Sequence, residues 1–218
     1  MIDFVICVDS KNLDKIELLV HSIRKHHNGA RVNLIVESGT KCEFVDRMYI
    51  VPYSYLYQDH DPYPRINMCT FFRFWIHYAW PDIKRCIYLD WDTLVIGDMS
   101  YELDGDYVIK AFETIPGNYN AGVIYFNFDN STTIELLDKC RTSPMFIDDQ
   151  HMINKIFRNH ITSIPQKYNY MQKHGEPLHD DIRCIHYIGS LKPWNILPVH
   201  YIYFNACNDY NDYKNKKQ

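Results

Sequence analysis

Residues 2–36 of the chain, IDFVICVDSKNLDKIELLVHSIRKHHNGARVNLIV, contain the pattern that decides the fold class. Residues 2–8 form an apolar run typical of a buried strand, and apolar residues recur at helical spacing through residues 13–27. A second buried strand is predicted at Val32–Val36 and a third at Met48–Val51. Strands and a helix in this order indicate a parallel, nucleotide-binding half of an α/β domain.

The remainder of the chain continues the alternation of helices and strands. Residues 52–65 contain prolines and turn-forming aspartates close together and predict a loop, and residues 66–80 predict a buried helix that ends before Pro81. Further along, the pattern predicts strands at Arg85–Leu89, Tyr107–Ala111 and Val123–Asn127, a helix that Ser131 or Thr132 opens, and a helix over residues 147–158.

The chain length bounds the domain organisation. With 218 residues the chain can bury a large core without disulfides or zinc. We expect one domain over residues 1–205, with residues 1–95 as the nucleotide-binding half and residues 96–205 as the second half. The polar residues 206–218 are expected to fray outside the fold.

Composition argues against several classes of protein. The formal net charge is −4 and no basic stripe could track phosphates, so nucleic acid is not expected as a partner. The seven cysteines are odd in number and form no Cys-x-x-Cys pair, which favours a reducing compartment. No apolar run approaches the roughly 20 residues needed to cross a bilayer, and the N-terminus does not resemble a signal peptide. We therefore expect a cytoplasmic chain, soluble or peripheral at a membrane.

Three Asp-x-Asp triplets occur, Asp59-His60-Asp61, Asp90-Trp91-Asp92 and Asp104-Gly105-Asp106, so context must choose among them. The first lies in the proline-rich loop and the third is a glycine turn, where aspartate is common. The second directly follows an apolar strand that ends at Leu89. Carboxylates at the carboxyl end of a sheet strand lie at the usual ligand crevice of an α/β fold.

The triplet Asp90-Trp91-Asp92 indicates a divalent metal site. Two carboxylates with no Lys or Arg between them repel each other unless a cation joins them. A divalent ion there would also bind a diphosphate and stabilise the negative charge that develops on it as a leaving group. The alternative is a turn after the strand, since aspartate often serves turns.

Five segments of the chain follow one another as the motifs of a known family do: Arg73 in the helix before the metal triplet, Tyr88-Leu89-Asp90-Trp91-Asp92-Thr93-Leu94-Val95, Asn120-Ala121-Gly122-Val123, Asp149-Gln150 and His186-Tyr187-Ile188-Gly189-Ser190-Leu191-Lys192-Pro193-Trp194. Together they resemble the retaining glycosyltransferases that include glycogenin and the bacterial lipopolysaccharide galactosyltransferases, glycosyltransferase family 8. The resemblance covers almost the whole chain. The last segment is the most specific, because His, Gly and Lys stand three apart and Pro-Trp closes the motif.

The resemblance implies a fold, a metal site and a reaction. The fold is a single-domain GT-A nucleotide-diphospho-sugar transferase fold, α/β with a mixed, mostly parallel sheet flanked by helices. Asp90, Asp92 and His186 would bind the metal, and this mixed oxygen and imidazole set suits Mn²⁺ somewhat better than Mg²⁺. The reaction would move a hexose from a UDP-sugar, with retention of anomeric configuration, to a glycan, lipid or protein acceptor. Residues 96–205 would then be the half that closes over the acceptor and the metal. Assembly as a homodimer is left open.

The resemblance also assigns contacts to the donor. Lys192 and the backbone near Gly189 would hold the diphosphate, since lysine carries a compact charge and glycine permits close approach. Gln150 would lie near the anomeric carbon and Asp149 would hold a sugar hydroxyl, which makes these two the candidate catalytic residues. The other implied donor contacts are Asp9, Ser10, Arg73, Trp91, Asn120 and Ala121.

Two positions depart from the pattern of the family. Asp9-Ser10-Lys11 stands where many relatives carry a second Asp or an Asn, which leaves the base selectivity open. Trp91 stands where relatives usually carry a small residue, so its ring is expected to reshape the donor pocket.

Each functional assignment has a plainer alternative. His186 lies in an apolar run where a histidine is more often part of the core, and Asp149-Gln150 lies where acids favour the first turn of a helix. Three other functions stay open: a catalytically silent nucleotide-sugar-binding protein, a self-glucosylating primer similar to glycogenin, and a metal-dependent phosphohydrolase or nucleotidyltransferase. The last class usually needs more carboxylates than the chain assembles at this site.

Overall fold

A computed structural model describes residues 1–38, 42–52, 68–143, 148–172, 179–189, 192 and 201–217. The strands in these ranges, β1 to β10, are Asp3–Cys7, Arg31–Val36, Arg47–Ile50, Arg85–Asp90, Thr93–Val95, Ile109–Ile115, Asn118–Asn127, Ile161–Ser163, Tyr170–Met171 and Cys184–His186. The α-helices, α1 to α5, are Ile16–His26, Ile76–Ala79, Ser131–Thr142, Asp149–Ile156 and Tyr201–Lys217. Short 3-10 helices cover Ser10–Lys15, Met68–Trp75, Ser100–Leu103 and Gln166–Tyr168.

The main sheet of the described residues has seven strands in the order β3-β2-β1-β4-β7-β6-β8. Strands β1 to β4 pair in parallel, and β8 runs parallel to β6. Strand β7 is antiparallel to both of its neighbours, β4 and β6. The predicted α/β class with a mixed, mostly parallel sheet is confirmed.

The central strands bury side chains on both faces of the sheet. Phe4 packs in the layer of α1 on one face, whereas Val5 packs in the layer of Met68–Trp75 on the other. Strand β4 repeats this alternation and places Tyr88 in the same layer as Val5. Because side chains two apart on a strand share a face, Asp90 at the end of β4 also points toward Met68–Trp75.

A second sheet joins β5, β10 and β9 in that order. Strand β10 runs antiparallel to β5, so that His186 lies opposite Thr93, the residue after Asp92. This pairing brings the last motif of the chain beside the metal triplet. The sequence did not predict these strands, because two or three residues are too few to show a periodicity.

The starts of two predicted helices differ in detail from what the sequence indicates. The first starts as a 3-10 turn at Ser10 and becomes α1 at Ile16. The helix α3 begins at Ser131, as expected, but the residue that caps it is Asn130, whose side chain accepts a hydrogen bond from the Thr132 amide at 3.1 Å. Asparagine in extended backbone is as good a cap as serine.

The helix predicted over residues 66–80 is mostly a 3-10 helix in its described part. It runs from Met68 to Trp75 as a 3-10 helix and continues as α2, which ends at Ala79 before Pro81. Its run of aromatic residues has modest α-helical propensity, because bulky rings lose rotamer freedom in an α-helix. Residues 53–67, which include most of the predicted loop and the triplet at residues 59–61, lie outside the described residues.

A hairpin joins β6 to β7 and was not predicted. The strand expected at Tyr107–Ala111 lies instead at Ile109–Ile115, and β7 begins at Asn118, five residues before the predicted start. Gly117 has a φ of 75°, which suits the turn after Pro116. The signal for the hairpin was the Pro-Gly pair itself.

The expectation that residues 206–218 fray outside the fold is wrong for the part that the structure describes. Helix α5 spans Tyr201–Lys217, and its Tyr203, Cys207 and Tyr210 pack against a buried cluster that contains Leu18 of α1. The apolar positions recur at helical spacing, so that a mostly polar segment still presents one packing stripe. Among the described residues, no helix is both long enough and apolar enough to cross a membrane. The division of the domain at residue 95 stays a prediction.

Candidate metal and donor site

Asp90, Asp92 and His186 converge at the carboxyl edge of the parallel strands. Asp90 ends β4, Asp92 follows in the turn to β5, and the pairing of β10 with β5 adds His186. His186 Nε2 lies 3.7 Å from Asp90 Oδ2 and 3.4 Å from Asp92 Oδ1. One ligand atom from each residue lies within 4.8 Å of the others, and two carboxylates with one imidazole form a donor set that suits a divalent cation such as Mn²⁺.

The second oxygen of Asp90 is held by two buried side chains. Arg73 Nη2 donates to Asp90 Oδ1 at 2.9 Å, and the Tyr88 hydroxyl donates to the same oxygen at 2.6 Å. Burial raises the pKa of Tyr88 well above its usual value, so the hydroxyl stays protonated and can donate. These contacts leave Oδ2 as the oxygen that faces His186 and fix the orientation of the carboxylate.

Arg73 also holds Asp149, which begins α4. Its Nη2 lies 2.9 Å from Asp149 Oδ2, its Nε donates to the Thr70 carbonyl at 2.7 Å, and its Nη1 donates to the Ala121 carbonyl. Burial alone would lower the pKa of the guanidinium, but the carboxylates of Asp149 and Asp90 outweigh it and raise the pKa. Arg73 therefore remains charged and ties the 3-10 helix, β4, β7 and α4 together at one point.

Asp149 is a carboxylate with a raised pKa. Burial raises the pKa of Asp149, Arg73 partly offsets that effect, and the charge of Asp90 adds to it, so that the pKa is about 6. The physical reason is that one guanidinium serves two carboxylates in a buried place.

Asp92 is held by Lys192 on the side away from His186. The Lys192 ammonium donates to Asp92 Oδ2 and, at 2.6 Å, to the Tyr187 carbonyl. Burial alone would raise the pKa of Asp92, but His186 and Lys192 outweigh it and lower the pKa to about 2. Asp92 is therefore ionised over the whole physiological range, as a metal ligand must be.

Asn120, Ala121 and Gln150 form a second group beside this cluster. Gln150 Oε1 accepts hydrogen bonds from the Ala121 amide and from Asn120 Nδ2, both at 3.1 Å. Asn120 Oδ1 in turn accepts from the Gly122 amide at 2.9 Å. The first turn of α4 is thereby fastened to the start of the buried part of β7.

Two residues that the sequence did not single out position His186. Its Nδ1 lies 3.1 Å from Oδ1 of Asn169, a fully buried side chain just after a 3-10 turn. On the other side the ring lies directly against Gly122, where a Cβ would stand 2.0 Å from the His186 Cε1 atom. The glycine was visible in the Asn-Ala-Gly-Val motif, but a lone Asn in a loop carries no such signal.

Asp9, Ser10 and Trp91 lie at the same edge of the sheet. Asp9 follows β1, and its Oδ1 accepts a hydrogen bond from Asn12 Nδ2 at 2.7 Å. The amide and hydroxyl of Ser10 both donate to Glu37 Oε1, at 2.8 and 2.7 Å, so Glu37 after β2 is a further residue of this edge that the sequence did not indicate. The Lys15 ammonium stands 5.8 Å from the centre of the Trp91 ring.

Gly189 follows β10 with a φ of 80°, a backbone conformation that favours glycine. It lies in the sequence between His186 and Lys192, whose side chains both reach Asp92. Residues 190, 191 and 193–200, including Pro193 and Trp194, lie outside the described residues.

The charges of the cluster suit a site for a metal diphosphate. Asp90, Asp92 and Asp149 provide three carboxylates, whereas Arg73 and Lys192 provide two cationic side chains. The excess of negative charge would be reversed by one divalent cation, and the completed site would then attract an anionic ligand.

Comparison with known proteins supports this arrangement of motifs. The family model of glycosyl transferase family 8 matches residues 3–197. Glycosyltransferase GlyE of Streptococcus pneumoniae serotype 4 is 31% identical over 164 residues, which cover 62% of this chain and 39% of GlyE. Human glycogenin-2 is 28% identical over 126 residues, which cover 51% of this chain and 25% of glycogenin-2. The chain thus spans less than half the length of these curated relatives.

Solved structures share the fold. An active-site mutant of LgtC matches with a TM-score of 0.71 and 17% identity over 95% of this chain and 94% of that chain. The crystal structure of GlyE from Streptococcus pneumoniae matches with a TM-score of 0.71 and 22% identity over 95% of this chain and 59% of that chain. Another similar structure is the galactosyltransferase LgtC in complex with donor and acceptor sugar analogs, with a TM-score of 0.66 and 18% identity over 91% of each chain.

Proposed function

The chain belongs to glycosyl transferase family 8, and from this premise we propose that it transfers a hexose from a UDP-sugar to an acceptor hydroxyl in a metal-dependent reaction. The observation that carries the proposal is the convergence of Asp90, Asp92 and His186 within 4.8 Å of one another. Asp90 of β4 and His186 of β10 come together because β10 pairs with β5 in the second sheet. Residues that only served separate turns would not need such a pairing.

Asp90, Asp92 and His186 would hold the metal, Mn²⁺ in preference to Mg²⁺ because one ligand is an imidazole. When bound, the ion would bind the diphosphate and stabilise the charge that develops on it as the sugar leaves. Lys192 would contact the same diphosphate, since its ammonium lies against Asp92 and can donate a hydrogen bond to an anion beside it. The backbone at Gly189 would approach the phosphates closely for the same purpose.

The donor sugar would lie over Asp149 and Gln150 in this proposal. The transfer would proceed with retention of anomeric configuration. Asp149 Oδ2 is held by Arg73 Nη2 at 2.9 Å, and the proposal does not make this carboxylate a nucleophile. It would instead accept a hydrogen bond from a sugar hydroxyl. Gln150, one residue later in α4, would lie near the anomeric carbon, and Asn120 and Ala121 would keep it there.

The nucleoside would lie at the carboxyl ends of β1 and β2. Asp9 and Ser10 follow β1, and Trp91 separates the two metal ligands, so all three would border the uracil and ribose. The acceptor would be a glycan, a lipid or a protein, and the chain would act in the cytoplasm or at a membrane surface.

Binding and turnover of nucleotide sugars test the proposal together. A panel of nucleotide sugars with Mn²⁺ should include one that raises the melting temperature, because a ligand that binds only the folded chain stabilises it. With that donor, release of UDP should be measured with and without candidate acceptors. Stabilisation without any release of UDP would favour the catalytically silent binding protein, and a panel without any stabilising UDP-sugar would contradict the proposal.

A further inference from the structure

A chain of buried amides connects the metal cluster to Gln150. Asn169 Oδ1 lies 3.1 Å from His186 Nδ1, Asn169 Nδ2 donates to Asn120 Oδ1 at 2.8 Å, and Asn120 Nδ2 donates to Gln150 Oε1 at 3.1 Å. Asn169 is completely buried and is neither a metal ligand nor a donor contact in the proposed function. The carbonyl oxygen and the amino group of the Asn169 side chain therefore each have a hydrogen-bond partner inside the protein.

Two backbone amides determine the direction of every hydrogen bond in this chain. The Ala121 amide donates to Gln150 at 3.1 Å and the Gly122 amide donates to Asn120 at 2.9 Å. A peptide N–H can only donate, so the atoms that face these amides must be the oxygens of Gln150 and Asn120. The amino group of Asn169 must then face the Asn120 oxygen, which leaves its own oxygen toward His186.

The direction of the chain selects one tautomer of His186. A ring nitrogen opposite an amide oxygen has to carry a hydrogen, so Nδ1 is the protonated nitrogen and Nε2 carries the lone pair in the neutral ring. Nε2 is the atom that lies 3.4 Å from Asp92 and 3.7 Å from Asp90. A free imidazole does not favour this tautomer by itself, whereas metal binding through Nε2 requires it.

We propose that Asn169 is a positioning residue that holds His186 in the Nδ1–H tautomer required for metal binding. Through its hydrogen bond to Asn120, it also couples the orientation of His186 to that of Gln150. The inference rests on the proposed role of His186 as a metal ligand. It has a consequence for Gln150, whose oxygen already accepts from Asn120 and Ala121. The amino group is thus the end of Gln150 that can donate a hydrogen bond to the donor sugar.

Two substitutions of Asn169 test separately its contact with His186 and its contact with Asn120. Asn169→Ala removes both contacts, so metal affinity should fall about 10- to 100-fold, the usual effect of losing a partner of a metal-bound histidine. Asn169→Asp can still accept from His186 Nδ1 but, when ionised, cannot donate to Asn120. This second variant should bind Mn²⁺ more tightly than the alanine variant while turnover falls, because Asn120, and through it Gln150, loses its connection to His186.

The tautomer is measured directly by nuclear magnetic resonance. Two-bond correlation spectra of protein labelled with ¹⁵N in histidine, free of metal and at a pH near 9 where an imidazole is neutral, distinguish Nδ1–H from Nε2–H. The protein has eleven histidines, and the His186→Ala spectrum assigns the signal. We expect Nδ1–H in the wild type and in Asn169→Asp, and a shift toward Nε2–H in Asn169→Ala.

Asn33→Ala is the matched control, since Asn33 is also a fully buried amide but bonds to Asp3 and the Phe4 carbonyl. Calorimetric titration of Mn²⁺ in the presence of UDP should give wild-type affinity for this control. If Asn169→Ala keeps both the Nδ1–H signal and the affinity of Asn33→Ala, the inference is overturned. A wild type that binds no Mn²⁺ would overturn the proposed function, and with it the metal part of this inference.

Discussion

At the scale of single residues, the site is a set of carboxylates whose second oxygens are already bound by the protein. Asp90 is held by Arg73 and Tyr88, and Asp92 is held by Lys192. Each carboxylate therefore presents one oriented oxygen toward His186. Orientation by neighbouring donors strengthens metal binding, because the ligands lose little freedom when the ion arrives.

Asp92→Asn should reduce turnover more than about 100-fold, since it would replace a proposed metal ligand and not merely a residue that positions one. The fold should lose no more than about 3 kcal/mol, which corresponds to the lowered pKa of Asp92. Turnover and urea unfolding, both measured at neutral pH, check the two expectations. Asp106→Asn in the third triplet is the control and should change neither quantity. Equal losses of activity and of folded protein would mean that Asp92 is structural.

Asp149 gives the stability of the protein a specific pH dependence. Its pKa of about 6 in the folded chain lies above the unfolded value, so the folded chain binds the proton more tightly. The contribution of Asp149 is fully present below about pH 4 and is lost as the pH rises through 6, by about 3 kcal/mol. Asp92, with its lowered pKa, acts in the opposite sense and below pH 4, so the two windows do not overlap.

Urea unfolding in EDTA from pH 4 to pH 7 measures this contribution as the difference between wild type and Asp149→Asn. The wild type should lose stability relative to the variant as the pH rises. A constant difference across this range would show that Asp149 keeps an ordinary pKa in the folded protein.

At the scale of elements, the contact between β7 and β10 sets the position of His186. A Cβ on Gly122 would stand 2.0 Å from the His186 ring, and neither the strand backbone nor the buried ring can move far. Gly122→Ala should therefore displace His186 and weaken Mn²⁺ binding about 10-fold or more in a calorimetric titration.

Gly97→Ala is the control for crowding at a glycine. A Cβ there would stand 2.5 Å from Cδ of Arg183, a flexible side chain away from the metal cluster, so the metal affinity should stay as in the wild type. An unchanged affinity in Gly122→Ala would contradict the assigned position of His186.

Helix α5 supports the element that carries His186. The Tyr203 ring packs edge-on against Tyr187 at 5.8 Å between ring centres, and Tyr187 directly follows β10. Tyr203→Ala should lower the free energy of unfolding by about 2 kcal/mol, because it leaves a cavity beside Tyr187. Asn211→Ala, at an exposed position of the same helix, is the control and should cost less than about 0.5 kcal/mol. Similar small effects at both positions would mean that α5 contributes little to the fold.

These elements also show how far the sequence predicts the structure. Strands β1, β2 and β4 were found because buried parallel strands are continuous apolar runs, and Asp90 and Asp92 were found because they end such a run. His186 needed the likeness to a family, since its partners are distant along the chain. Asn169 was missed because a buried amide is defined by its neighbours, which no periodicity encodes.

At the scale of the whole molecule, activity should depend on a divalent cation. Treatment with EDTA should abolish transfer, and Mn²⁺ should restore it at least as well as Mg²⁺, because the proposed ligand His186 would supply a nitrogen atom that Mg²⁺ disfavours. Initial rates in a titration of each ion after chelation measure this preference. Full activity in the chelator would remove the metal from the mechanism, and a clear preference for Mg²⁺ would argue against His186 as a ligand.

The pairing of β5 with β10 has a further consequence for how the protein matures. During synthesis Asp90 and Asp92 leave the ribosome long before His186, so the first sheet can assemble while the metal centre still lacks its imidazole. Bringing β10 back to β5 closes a long loop and costs chain entropy, and the pairing of a three-residue strand offsets little of that cost. A metal ion that binds Asp90, Asp92 and His186 should therefore stabilise this pairing, and the affinity for Mn²⁺ would report whether β5 and β10 have paired.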